Sequence, residues 1–90
     1  MAVNVNIHKT HRTFTDGREV VSTEGKTVGE CLNHLIKQFP GMEKAIFAKK
    51  DKLLNNVEIY VNNASAYPNE LAKPVQDGDN IHLVVMLTGG

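Results

Sequence analysis

The chain has 90 residues, ten Lys and Arg against ten Asp and Glu, and no net charge when its four histidines are neutral, so it fits one domain spanning 1–90 with a compact core. Balanced charge argues against a nucleic-acid binder that works by neutralising phosphates and against electrostatic binding to a membrane. The single cysteine, Cys31, excludes an internal disulfide; with no apolar stretch long enough to span a bilayer and no signal-like start at Met1-Ala2-Val3-Asn4, a cytoplasmic protein is expected.

Val3-Asn4-Val5-Asn6-Ile7 alternates apolar and polar residues, which predicts a strand with Val3, Val5 and Ile7 facing a core. His8 to Thr15 is polar and irregular apart from Phe14. Asp16-Gly17 is a turn signal, and Arg18 to Thr23 reads as a second strand returning on the first. After the break at Glu24-Gly25-Lys26, Thr27-Val28-Gly29-Glu30 has the T-x-x-E form of a capping box. Val28, Cys31, Leu32, Leu35, Ile36 and Phe39 follow at helical spacing on one face, and Pro40-Gly41 ends the helix. Met42 to Phe47 predicts one further short helical turn anchored by Met42, Ile46 and Phe47.

Ala48 to Lys52 reads as a charged loop, a solvated tip rather than a binding patch. Val57 to Asn62 alternates again and predicts a third strand, turned by Asn62-Asn63. Residues 65–68 suit a short edge strand limited by Pro68, and Leu71 and Val75 suit pins for the loop that carries Pro74. Asp77-Gly78-Asp79 turns into a last apolar strand that runs from Ile81 through Thr88 to Gly89-Gly90. One helix laid on one face of a mixed four- to five-stranded sheet buries both apolar faces. The fold class is therefore α+β, with the first and last strands side by side in the middle.

Residues suited to catalysis are sparse. Cys31 lies on the apolar helix face and reads as a small buried hydrophobe. His8 and His11 have no matching ligand cluster, so no metal site is expected. His34 falls on the polar side of the helix and reads as solvated. No phosphate loop or dinucleotide fingerprint is present. The terminal Gly89-Gly90 is the distinctive feature: glycine has no side chain to clash in a narrow site, and both signs of φ are open to it. A carboxylate at Gly90 could react only after activation by another enzyme. On the residues alone, a reacting tail and an end without a chemical role stand equally open.

The element order, Val57 to Asn63, the Val75-x-Asp77-Gly78-Asp79 turn and the terminal Gly-Gly resemble the ThiS/MoaD family of ubiquitin-like sulfur carriers, which have the β-grasp fold. Thr27 to Phe39 followed by Pro40-Gly41 is similar to that family's helix and its stop. The resemblance implies a carrier, not an enzyme, with no cofactor bound. An adenylyltransferase resembling ubiquitin-activating enzymes would use ATP to adenylate Gly90. A sulfur donor would then convert it to a thiocarboxylate, and an acceptor enzyme would take the sulfur. The pathway could be of the molybdopterin, thiamine thiazole, or cysteine and homocysteine type. Many relatives have a proline shortly before Gly-Gly; Val84 to Leu87 has none, which leaves the pathway open. A protein modifier conjugated through Gly90 and a non-reacting interaction domain are the alternatives. Ile81, Leu83 and Val85 alternate with His82, Val84 and Met86, so Tyr60, Val84, Met86 and Thr88 form the candidate docking surface beside the reacting Gly89 and Gly90.

Overall fold

The computed structural model describes residues 2–50 and 52–86. Strand β1 (Ala2–Asn6) leads through a 3₁₀ segment (Lys9–Thr15) to β2 (Val20–Glu24) and helix α1 (Val28–Gln38). A short helix α2 (Met42–Ile46) passes directly into a small hairpin of β3 (Phe47–Lys49) and β4 (Lys52–Leu53). Strand β5 (Val57–Val61), the two-residue β6 (Ala64–Ser65), a 3₁₀ turn (Glu70–Ala72) and β7 (Asn80–Val85) complete the described chain. The main sheet has the order β2-β1-β7-β5-β6, with β1 and β7 parallel at its centre and antiparallel pairs on either side. This is the expected mixed sheet carrying one main helix.

The alternation of β1 decides which face meets the helix. Val3 and Val5 are fully buried, and Asn4 and Asn6 turn to the other face. Val21, Ile59, Ile81 and Leu83 join them, and Val28, Cys31, Leu32 and Leu35 of α1 close the layer from above. Ile36 and Phe39 are only partly covered because they lie at the margin of the same face. Thr23 is buried among these groups without an unsatisfied polar atom, since its hydroxyl donates to the Val3 carbonyl at 2.8 Å.

The start of α1 is capped by side chain and backbone together. The Glu30 N–H donates to Oγ1 of Thr27 at 3.2 Å, as the capping box requires. The return bond is displaced: Oε1 of Glu30 accepts from Lys26 N–H at 3.0 Å, one residue before the cap. Another free donor of the first turn, Val28 N–H, reaches the Lys73 carbonyl at 2.9 Å, and Val75 N–H donates back to Lys26. Gly29 permits this approach, because a Cβ there would stand 3.0 Å from the Leu71 carbonyl oxygen. Leu71 and Val75 are thus pins, partly and fully buried respectively.

The Asp77-Gly78-Asp79 turn fixes the parallel centre of the sheet. Gly78 has φ 88°, a conformation that suits glycine. Its N–H donates to the Ala2 carbonyl, Ala2 N–H donates to Oδ1 of Asp77, and Asn4 N–H donates to the Asp79 carbonyl. The first residues of β1 are therefore held by the turn that launches β7.

Three expectations need correction. His8 to Thr15 is not irregular: it forms the 3₁₀ segment, closed by the Thr15 hydroxyl donating to the Arg18 carbonyl at 2.9 Å. The charged loop after Phe47 is a hairpin, a pairing that alternation cannot show in strands of two or three residues. The short edge strand is Ala64–Ser65, which overlaps the expected 65–68 stretch only at Ser65, and pairs with Tyr60 and Val61.

Candidate functional site

β7 ends one residue before Met86, and residues 87–90 follow it. Leu87, Thr88, Gly89 and Gly90, including the reacting pair and one docking candidate, lie outside the described residues. What the structure places is the root from which they emerge. Met86 N–H donates to the Asn56 carbonyl at 2.7 Å, so the backbone stays tied to the start of β5 up to that residue. The next four residues can reach at most about 14 Å when extended. Any enzyme that works on Gly90 therefore has to approach the end of β7 closely.

Strand register brings the remaining docking candidates together. On the face turned away from α1, Tyr60 stands opposite His82 and Glu58 opposite Val84. Tyr60, His82 and Val84 are half-buried, and Met86 is 48% exposed. The strip is less apolar than its hydrophobic members suggest. Glu58 lies within it, and its Oε2 accepts from the Tyr60 hydroxyl at 3.3 Å. Such a surface, an apolar centre with a carboxylate and an imidazole beside it, suits a protein partner.

On the opposite face, Val85 is only partly buried. It borders an open recess of about 650 Å³ with Phe14, His11, Pro40 and Gly41. Phe14 is 45% exposed, and Nδ1 of His11 is buried without a hydrogen-bond partner. Burial, and then the neighbouring His8, hold the His11 imidazole below the ordinary value of 6.5. Sequence analysis named Phe14 and weighed His8 and His11 but placed no recess here, because the segment's residues show no period.

The other candidates behave as structural groups. Cys31 is fully buried. Burial pushes its thiol above the ordinary value; the Thr23 side chain acts against this and the Glu30 carboxylate adds to it. His8 and His11 pack edge to face with ring centroids 6.2 Å apart, and no group of three His, Cys, Asp or Glu among the described residues could hold a metal ion. His34 is not simply solvated: its Nδ1 accepts the Glu24 backbone N–H at 2.8 Å. Among the described residues no helix is long and apolar enough to cross a membrane.

Comparison with known proteins agrees with this architecture. The sulfur carrier protein CysO of Mycobacterium tuberculosis is 30% identical over 93 aligned residues, covering all of both chains. In the BexX/CysO complex of Amycolatopsis orientalis, one chain superposes with a TM-score of 0.88 at 30% identity, covering 99% of this chain and all of that one. The small archaeal modifier protein 1 of Methanosarcina acetivorans shares the fold, with a TM-score of 0.86 at 23% identity over 99% of this chain and 96% of its own. A family model described as the ThiS family matches residues 5–90, and the chain belongs to that family.

Proposed function

We propose that this protein is a sulfur carrier whose Gly90 carboxylate is activated and thiolated by partner enzymes. The observation that carries the reading is the family match, which spans residues 5–90. The geometry supports it: the last described strand, β7, is held on both sides by β1 and β5, and it ends at Val85, five positions before Gly90. A rigid base with a short glycine-ended tail can deliver one carboxylate to successive active sites.

In the proposed cycle a partner resembling ubiquitin-activating enzymes binds the strip around Tyr60, Val84 and Met86. The Gly90 carboxylate attacks the α-phosphate of ATP, pyrophosphate leaves, and an acyl adenylate forms. Sulfide then attacks the acyl carbon and AMP leaves with the bonding electrons, giving the thiocarboxylate; with a persulfide donor the terminal sulfur attacks instead, AMP leaves, and a second thiol cleaves the resulting acyl disulfide, freeing the thiocarboxylate and forming a disulfide with the donor sulfur. An acceptor enzyme admits the tail and transfers the sulfur to a metabolite. All of this catalysis resides in the partners. Among the possible pathways the cysteine type is favoured, since the curated relatives are CysO carriers.

The test is the intact mass of the protein purified from its own cells, with fragmentation to locate any change. Replacement of one oxygen by sulfur at Gly90 is expected, together with its loss when Gly89-Gly90 is deleted. The deleted form should keep its melting temperature. An unmodified wild-type carboxylate that cell extract with ATP also fails to adenylate would overturn the reading. Isopeptide-linked adducts on other proteins would move it to a modifier.

A further inference from the structure

The ladder between β5 and β7 carries on for one residue past Val85. Val57 pairs with Val85, and Met86 N–H donates to the Asn56 carbonyl at 2.7 Å. The alternation of side chains is therefore fixed as far as Met86. Ile81 and Leu83 are buried on the core side, Val85 is partly buried on the same side, and Met86 is 48% exposed on the other. The next position on the core side is Leu87, the one large apolar residue after Met86.

Val85 borders the open recess of about 650 Å³. Phe14, Ala45, Leu54 and Val85 give it an apolar lining, and Asn56, which holds Met86, lines it too. The Phe14 ring lies against Gly41, where a Cβ would come within 3.1 Å of its Cδ1, yet Phe14 is 45% exposed. A large apolar ring supported on one side and open on the other is a seat for an apolar side chain.

We propose that Leu87 seats its side chain in this recess against Phe14 and is a positioning residue for Gly90. Two things select Leu87 as the occupant. The first is reach. Two strand positions advance roughly 6.6 Å, so Leu87, on the same side as Val85, stands beside the recess that Val85 borders. The second is tethering. A side chain one residue beyond an anchored amide competes at an effective concentration of the order of mM, an advantage that no free side chain has. Seating removes apolar surface from water on both Leu87 and Phe14, and it orders the backbone of one residue only, because Met86 is already held. With Leu87 held, Thr88-Gly89-Gly90 is the free part of the tail, with a reach of about 11 Å in place of about 14 Å. The carboxylate then samples a smaller volume, on one side of the end of β7. The positioning role rests on the proposed activation of Gly90; the seat itself does not.

Proton NMR of the full chain in isolation reads the seat without any partner. The Leu87 methyl groups should show cross-peaks to the Phe14 ring and be moved upfield by its ring current. The Phe14 ring signals should shift when the chain is cut after Met86. Leu87 methyl groups at free-chain positions, with no cross-peak to Phe14, would overturn the proposal. ATP–pyrophosphate exchange by the activating enzyme then reads the positioning. Unseating the tail makes the competent form a fraction of the whole, so Leu87→Ser should raise KM for the carrier about fivefold and leave kcat unchanged. Leu87→Met keeps a large apolar side chain and should restore KM. Phe14→Ser should match Leu87→Ser, with thermal melts to check that it is folded. The double variant should be no worse than either single one, because both remove the same contact. Losses that multiply in the double variant would put Leu87 against the enzyme rather than in the recess, and the positioning role would fail. A chain that shows the cross-peaks but is never adenylated would leave the seat standing and overturn the activation reading instead.

Discussion

Met86→Asp separates docking from folding at the root of the tail. The side chain is 48% exposed, and Met86 is held through its backbone N–H rather than through its thioether. The substitution should therefore cost no more than about 0.5 kcal/mol of stability, as exposed positions do, a shift of roughly 2–4 °C in melting temperature for a domain of this size. Binding is a different matter. Fully burying such a side chain is worth about 1.5–3 kcal/mol, so covering the half still exposed contributes roughly 1 kcal/mol. A carboxylate in its place adds an unsatisfied polar group, at about 1–3 kcal/mol. The total, about 2–4 kcal/mol, corresponds to a loss of roughly 30- to 900-fold in affinity. Calorimetric titration of both forms with the activating enzyme, beside thermal melts, reads the two effects separately. An affinity within about twofold of wild type would refute docking on this strip. A collapse of the melting temperature would refute the outward placement of the side chain.

Thr27→Ala removes the oxygen that accepts from Glu30 N–H, and urea denaturation should show a loss of about 1 kcal/mol. Cys31 should resist alkylation at neutral pH in the folded protein and react only at the rate of unfolding, because burial raises its thiol; rapid labelling under native conditions would contradict its placement. His11 should make the fold weaken in acid. Its folded value lies below the ordinary 6.5, so the unfolded chain binds more protons between those two values, and stability falls as the pH drops through that window. The loss is complete below the folded value, where both states carry the proton. His11→Asn should flatten this part of the stability–pH profile, measured by denaturant midpoints at a series of pH values. A profile unchanged by the substitution would remove the assignment.

How much of this was legible in advance depended on the range of the interaction. The core face of β1 and the apolar face of α1 are periodic: Val3 and Val5, or Val28, Cys31, Leu32 and Leu35, repeat at intervals set by backbone geometry, and all are buried. The cap at Thr27 and the turn at Gly78 are local chemistry within four residues. The family, too, could be recognised from the chain, because the order of these periodic segments and the terminal Gly-Gly resemble the ThiS/MoaD pattern.

Pairings between distant, non-periodic residues needed the fold. No spacing links Glu24 to His34, Ser22 to Gln38, or Glu30 to Lys26 rather than to Thr27. Each depends on how far the helix lies from the strand or loop beside it, a distance fixed by the volume of the side chains between them. Likewise the alternation of β7 grouped Val84 with Met86, but only the register with β5 put Glu58 opposite Val84 and Tyr60 opposite His82. By itself the sequence determined the longer strands, helix α1 and their buried faces, and it showed the terminal Gly89-Gly90. The tertiary structure decided the neighbours of each exposed group, because a side chain's partners across a sheet or a helix edge are set by register and packing, which no single segment encodes.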